Sequence, residues 1–162
     1  DNSNIQGNFP VAGMVCFIDG KPVKGRYRKF NIKSVKGADD FKSMYEVVYR
    51  RYNRVLKEQK QLPDLILIDG GKGQLSSAKS ALDHLGLSYI TVIGLAKKME
   101  EVYLPNFSDP QNISKHSPGL LLLRRIRDEV HRFAISFHRQ KRSKYETKSI
   151  LLDVKGLSLI HI

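Results

Sequence analysis

The sequence predicts an α/β domain with a mixed sheet, and three observations support that fold class. An apolar run at 65–68 is followed by a helical pattern at 75–85 and by an Ile- and Val-rich run at 89–95. A strand, a helix and a second strand in that order form a parallel βαβ unit. Asp19-Gly20, between two earlier strand-like stretches, indicates an antiparallel hairpin. Two other stretches repeat apolar residues at helical spacing, so helices are expected to flank the sheet.

The first part of the chain contains the hairpin and a helix. Strand-like stretches at 11–18 and 23–32 lie on either side of the Asp19-Gly20 turn. A helix is expected after Asp39 and Asp40, either of which can cap it. The apolar residues that follow keep a 3.6-residue period: Phe41, Met44, Tyr45, Val48, Tyr52 and Val55.

The stretch 63–74, PDLILIDGGKGQ, has the most informative pattern. Its apolar run suits a strand buried on both faces, and it ends at Asp69 before a glycine cluster. Functional sites in open α/β sheets gather at the carboxyl ends of strands. Asp-Gly also occurs there simply because a turn needs it, so site and turn are equally supported. A Walker-type nucleotide site is excluded, since no G-x-x-x-x-G-K-[ST] occurs in the chain.

The last helix is predicted to start at Ser117-Pro118, with Ser as N-cap and Pro at the first helical position. A short strand at 101–104 is expected before it. The predicted apolar stripe of the helix consists of Leu122, Ile126, Val130, Phe133 and Phe137. His131 and His138 are expected at the edge of that buried face.

Positive charge is the strongest global feature. The 162 residues include 28 Lys and Arg against 16 Asp and Glu, a net charge of +12, and half of the excess lies in 124–148. Such charge predicts a polyanionic partner, nucleic acid first and an anionic membrane second, although a generally basic protein is the simpler alternative. No apolar run approaches the ~20 residues of a membrane span. The polar start predicts no signal peptide, and a lone Cys16 fits a reducing cytoplasm.

Several carboxylates stand at the edges of predicted elements: Asp1, Asp39 or Asp40, and Asp69. Carboxylates that meet in space repel one another unless a cation lies between them, and Mg²⁺ or Mn²⁺ prefers oxygen ligands. In a basic protein this combination favours chemistry on phosphodiesters. His131 could move protons there, whereas a lone histidine is more commonly a half-buried packing residue.

Unusual motifs also occur in a set order along the chain: Asp1-Asn2-Ser3-Asn4, Gln6-Gly7, Tyr27-Arg28-Lys29-Phe30, Asp39-Asp40-Phe41, Pro63-Asp64, Ile68-Asp69-Gly70-Gly71-Lys72-Gly73-Gln74, Ala96-Lys97 and Ile126-Arg127-Asp128-Glu129-Val130-His131-Arg132-Phe133-Ala134. Together they resemble the C-terminal half of the UvrC family, the incising subunit of bacterial nucleotide excision repair. The resemblance runs from Asp1 to about Gly156.

The resemblance implies an RNase H-like fold, with a five-stranded mixed sheet flanked by helices. It implies a Mg²⁺- or Mn²⁺-dependent endonuclease that cuts damaged DNA on the 5′ side of a lesion. By motif, Asp1 and Asp69 match catalytic carboxylates that bind the metal. His131 matches the catalytic histidine, and Asp40 matches a further catalytic acid.

The same resemblance implies partners and boundaries. The basic helix is expected to contact damaged double-stranded DNA. Full-length proteins of the family are also expected to bind a UvrB–DNA complex. An RNase H-like domain is expected at 1–154, with its first strand truncated, and 155–162 would be a truncated or non-native tail where a helix-hairpin-helix region begins. The expected DNA-binding residues are Lys72, Arg124, Arg127, Arg132, Arg139 and Arg142.

Two alternatives remain at this point. One is a non-catalytic basic DNA-binding module whose acids only cap helices and form turns. The other is an RNase H-type hydrolase of RNA–DNA hybrids, which would share the fold.

Overall fold

The computed structural model describes residues 1–3, 10–35, 37 and 39–153. The expected tail at 155–162 lies outside the described residues. The described chain folds into three helices: α1 (Asp40–Lys57), α2 (Lys72–His84) and α3 (Pro118–Asp153). Its strands are β1 (Asn2–Ser3), β2 (Val11–Met14), β3 (Phe17–Ile18), β4 (Lys21–Pro22), β5 (Arg28–Asn31), β6 (Leu65–Asp69), β7 (Thr91–Ala96) and β8 (Glu101–Tyr103).

The strands of the described residues form three sheets. β1, β2 and β5 make an antiparallel sheet in that order, and β3 pairs with β4 in a separate hairpin. β6 and β7 are parallel, and β8 adds to β7 in the antiparallel direction. The mixed α/β class and the βαβ unit are therefore confirmed. The single five-stranded sheet is not found among the described residues, because the two-residue β1 pairs only with β2 and no described strand links that sheet to β6.

The hairpin lies at the predicted turn but is shorter than expected. Asp19 and Gly20 have positive φ values of 51° and 73°, as a tight two-residue hairpin turn requires. Only Phe17–Ile18 and Lys21–Pro22 pair across it. The two long stretches are each interrupted, so that β2 pairs with β5 while β3 pairs with β4.

The βαβ sheet is covered on both faces. On one face, α1 and α2 bury Met44 and Leu75 against Ile68 and other core residues of β6 and β7. On the other face, Leu95 packs with Leu120 at the start of α3. This arrangement explains the continuous apolar run of β6, whose alternate side chains enter opposite cores. Asp39 caps α1, because its Oδ1 accepts a hydrogen bond from the Lys42 backbone N–H at 3.0 Å.

α3 begins at Pro118, as predicted, and its 36 residues span about 54 Å. Its buried face shares Val130 with the predicted stripe but otherwise differs from it, since the buried residues of the described helix are Leu120, Val130, Ala134 and His138. His138 is only 2% exposed, so its expected position at the edge of that face was wrong. None of the three helices in the described ranges combines the length and the apolar composition that a membrane span requires.

Close contact between α3 and β2 depends on a glycine. A Cβ atom added to Gly13 would lie 3.0 Å from the Phe133 ring and 3.2 Å from the Ala134 Cα atom. Any larger residue in β2 would therefore push the helix outward. Because Ala134 lies near the middle of α3 and follows His131 by one turn, this contact also sets how close that part of the helix comes to β1.

Candidate active site

Three distant parts of the chain bring Asp1, Asp69 and His131 together. Asp1 directly precedes β1, Asp69 is the last residue of β6, and His131 lies in the middle of α3. One potential ligand atom from each residue lies within 4.8 Å of the others. Among the described residues, this is the group of acidic and histidine side chains that could hold a metal ion.

Asp1 is positioned by both of its backbone groups. Its α-amino group donates to the Gly13 carbonyl at 3.0 Å, and its carbonyl accepts from the Gly13 N–H at 2.9 Å. β2 thus holds Asp1 on one side of Gly13 while α3 packs against the same residue. The side chain of Asp1 is 10% exposed.

Asp69 is positioned by close packing at the end of β6. Gly70 donates its N–H to the Leu95 carbonyl at 3.1 Å, and a Cβ on Gly94 would lie 3.0 Å from the Gly70 oxygen. Neither Gly70 nor Gly71 has a positive φ. A Cβ on Gly70 would lie 2.9 Å from the Gln74 side chain and one on Gly73 would collide with the Phe41 ring, whereas Gly71 has open space around it. Gly70 and Gly73 are therefore needed for space rather than for a left-handed turn, which weakens the view that this stretch only serves turn formation.

The neighbouring charges act on Asp69 in opposite directions. Its side chain is 8% exposed, and this burial raises the pKa of the carboxyl group. The positive charges of Arg127 and Lys97 each lower the pKa and partly offset the burial. Nearby positive charge is thus what makes an ionised carboxylate tolerable at this position.

His131 bridges the carboxylates and a lysine. Its Nδ1 lies 3.0 Å from Oδ2 of Asp1 and 3.8 Å from Oδ2 of Asp69. Its Nε2 lies 3.2 Å from Nζ of Lys97. The ring is 38% exposed, so it remains accessible to a substrate. Two carboxylates and one imidazole at these distances could hold a divalent cation, and the oxygen ligands suit Mg²⁺ or Mn²⁺.

Asp40 lies apart from this group. It is the exposed first residue of α1, and its carbonyl accepts a hydrogen bond from the Asn2 side chain at 3.2 Å. That bond ties the start of α1 to the residue after Asp1. The carboxylate of Asp40 is not among the clustered ligand atoms.

The arginines expected to bind DNA fall into two groups. Arg124 and Arg127 point inward and both pair with Glu100, and the side chain of Arg127 is only 11% exposed. Arg132 and Arg142 are exposed and pair with glutamates of the same helix, while Arg139 is exposed. Lys72 is the exposed first residue of α2 and lines a surface cavity of about 360 Å³.

Sequence reasoning gave no role to Lys97 or Glu100. Lys97 directly follows β7, whose Leu95 pairs with Asp69 of β6. The carboxyl ends of neighbouring parallel strands meet at one edge of a sheet, so this position could have been selected from the βαβ pattern. Glu100 gave no comparable signal, because its partners on α3 are more than 20 residues away along the chain.

Comparison with known proteins agrees with this geometry. Residues 1–135 match the family model of the UvrC RNase H endonuclease domain. The UvrABC system protein C of Christiangramia forsetii is 54% identical over 158 residues, which cover 97% of this chain and 26% of that protein. Its counterpart in Cytophaga hutchinsonii is 57% identical over 145 residues, covering 89% and 24%. In Prosthecochloris aestuarii the identity is 52% over 157 residues, covering 97% and 25%.

This chain spans about a quarter of the length of the curated relatives that it matches. The family match includes the positions of both buried carboxylates and of the histidine between them. The chain therefore belongs to the UvrC RNase H endonuclease domain family.

Proposed function

We propose that this domain is a metal-dependent DNA endonuclease that makes the 5′-side incision in nucleotide excision repair. The observation that carries the proposal is the convergence of Asp1, Asp69 and His131, three residues from three elements, within 4.8 Å. Family membership supports the same class of activity.

The two carboxylates would hold the metal ion. Asp1 and Asp69 are both largely buried, and each is fixed by backbone hydrogen bonds at or next to the residue. The bound Mg²⁺ or Mn²⁺ would lower the pKa of an attacking water and stabilise the charge that develops on the phosphate. Asp40 would act as an additional acid from the start of α1, next to Asn2.

His131 would handle a proton or orient the water. It is the most exposed member of the group, so it can approach a phosphodiester while it remains hydrogen-bonded to Asp1. A histidine held in this way by a carboxylate has a defined ring orientation, which proton transfer requires.

The basic surface would bind the substrate. Phosphate contacts position a protein on DNA regardless of sequence, and the exposed Arg132, Arg139, Arg142 and Lys72 would make them. Arg124 and Arg127 would instead hold α3 in place through Glu100. The partners would be damaged duplex DNA and, in the whole protein, a UvrB–DNA complex in the bacterial cytoplasm.

Nicking of lesion-bearing duplex DNA tests this proposal. The parent protein should nick in the presence of Mn²⁺, and Asp69→Asn should abolish nicking while DNA binding persists, because the basic surface is unchanged. Asp64→Asn is a matched control, since it makes the same change at the exposed residue just before β6. An Asp69→Asn protein that nicks like the parent would remove Asp69 from the mechanism.

The substrate alternatives separate in the same assay. Cleavage of an RNA–DNA hybrid in preference to the lesion-bearing duplex would favour the hybrid hydrolase. DNA binding without any nicking under Mg²⁺ or Mn²⁺ would favour the non-catalytic module.

A further inference from the structure

Lys97 is the one positively charged side chain that contacts the outer nitrogen of His131 in the described residues. Its Nζ atom lies 3.2 Å from Nε2, and it reaches that nitrogen from the end of β7, the strand next to β6. We propose that Lys97 is a positioning residue that holds His131 in the tautomer with its proton on Nδ1. This inference rests on the proposed endonuclease function and concerns the same site.

The donor and acceptor roles of the neighbours determine the tautomer. A lysine ammonium group can only donate hydrogen bonds, and an ionised carboxylate can only accept them. Nε2 of His131, facing Lys97, must therefore be the acceptor. Nδ1, 3.0 Å from Asp1, must carry the proton and donate it to the carboxylate. The neutral ring satisfies both neighbours in only this form.

The position of the proton on His131 determines which of the three side chains can coordinate a metal ion. A nitrogen that carries a proton has no lone pair for a cation, so Nδ1 could not coordinate a metal ion that Asp1 and Asp69 would hold. Asp1 and Asp69 would then provide the metal ligands, and His131 would remain a hydrogen-bond donor beside them. Without Lys97, nothing would hold Nε2 in place. A half-turn of the ring about χ2, which has two broad minima, would then exchange Nδ1 with Cδ2 and move Nε2 into the place of Cε1, where Nε2 could carry the proton instead.

A second interaction fixes the distance between Lys97 and His131. Glu100, three residues after Lys97, pairs with Arg124 and Arg127 of α3. Arg127 lies one helical turn before His131 and therefore on the same side of the helix. The turn that carries Lys97 is thus attached to the segment of α3 that carries His131, and the two side chains keep their separation.

The tautomer is measurable without any metal or substrate. In ¹⁵N-labelled, metal-free protein, the coupling pattern of the His131 ring distinguishes a proton on Nδ1, a proton on Nε2 and a doubly protonated ring. We expect only the first form in the parent protein and in Lys97→Arg, which keeps the donor. In Lys97→Met we expect a mixture of the first two forms.

The rate assay supplies the second readout. Partners that orient a residue next to a metal typically contribute about 10- to 100-fold to activity. Lys97→Met should lose that factor in kcat, with little change in KM, and Lys97→Arg should regain most of it. Lys98→Met is the matched control, because it removes one positive charge at the next residue in the sequence. Lys98 has no hydrogen bond or ion pair among the described residues.

Several results would overturn the inference. A parent ring protonated on Nε2, or on both nitrogens, would do so at once. So would a Lys97→Met ring spectrum identical to the parent, whatever its rate, or a mixture of tautomers with unchanged kcat. A parent protein that shows the Nδ1–H form but never nicks would instead count against the endonuclease function.

Discussion

At the scale of single residues, the molecule contains two histidines on one helix in opposite environments. His131 is partly exposed between two carboxylates and a lysine. His138 is buried, and neither of its ring nitrogens has a hydrogen-bond partner in the described part of the chain. Burial lowers the pKa of His138, with smaller contributions from the charges of Lys141 and Arg142. The two histidines should therefore respond differently to substitution.

We expect His131→Ala to lose incision and His138→Ala to retain most of it. His131→Ala removes the ring that lies between Asp1 and Lys97. His138→Ala shortens a buried side chain outside the candidate site and leaves that site unchanged. His138→Ala should cost on the order of 1–3 kcal/mol in stability, so both variants are compared well below their melting temperatures. The opposite outcome, with incision lost only in His138→Ala, would mean that the motif assignment on α3 is wrong.

Glu46 is a buried acid whose stabilising effect depends on pH. Burial alone raises the pKa of Glu46, but hydrogen bonds from the Ser34 hydroxyl, from the backbone N–H groups of Ser34 and Lys33, and from Arg50 outweigh it. The net pKa is lowered from 4.5. The folded protein thus binds fewer protons than the unfolded chain near that pH. The stabilisation is complete above pH 4.5 and is lost as the pH falls through the lowered value.

Glu46→Gln should therefore destabilise the protein at pH 7 by about 1.5–3 kcal/mol, the range for hydrogen bonds to a charged group. The difference between parent and variant should shrink as the pH falls below 4.5, because the unfolded parent chain then binds a proton that the folded carboxylate takes up only at lower pH. Urea unfolding at several pH values measures this. Glu146→Gln, which alters an exposed ion pair with Arg142, is the control and should change little. A difference that stays constant down to pH 3 would contradict the assignment.

At the scale of elements, the packing of α3 on β2 sets the distance between the His131 ring and the carboxylates of Asp1 and Asp69. The helix approaches within contact distance of the strand only because Gly13 has no side chain. The same glycine exchanges two backbone hydrogen bonds with Asp1. One residue thus couples the positions of two members of the site that are 130 residues apart in sequence.

Gly13→Ala should weaken nicking more than stability alone explains. The added methyl group would meet the Ala134 backbone at 3.2 Å, and overpacking of this kind typically costs about 1–3 kcal/mol. A displacement of about 1 Å at reacting groups can cost on the order of 100-fold in rate. Gly25→Ala is the control, because nothing lies within 4 Å of its added atom. Melting temperature and kcat are measured together, and parent-like kcat in Gly13→Ala would show that α3 adapts without moving His131.

At the scale of the whole molecule, the net charge of +12 is divided between structural and exposed positions. Arg124 and Arg127 are committed to Glu100, so they add little to a phosphate-binding surface. Beyond His138, α3 exposes Arg139, Arg142, Lys144 and Lys148 to solvent, and Lys141 is half-buried. DNA affinity should therefore depend mainly on the exposed residues.

Salt dependence of DNA binding tests this division. Each phosphate contact contributes a slope of about −0.9 to a plot of log affinity against log salt. Changing Arg139 and Arg142 to Ala should make the slope less steep by up to about 1.8, on any DNA sequence. Arg124→Ala should destabilise the fold but leave the slope unchanged, since its side chain is paired and mostly buried. Equal slopes in the parent and the double variant would mean that this face of α3 is only solvated.

Local patterns in the sequence determined the elements and the composition of the candidate site. The apolar run before Asp69, the capping by Asp39 and the start of α3 at Pro118 all depend on interactions within a few residues. The ordered motifs also selected Asp1, Asp69 and His131, and the structure brings these three together.

Only the tertiary structure decided which long-range partners those residues meet. Helical periodicity gives the direction of a side chain around its own axis, but not what packs there. It therefore placed His138 at an edge and Arg127 on an exposed surface, whereas in the structure His138 is buried and Arg127 pairs with Glu100. The hydrogen bond from Lys97 to His131 joins residues 34 apart, and no local pattern reports a contact that only the meeting of β7 and α3 creates.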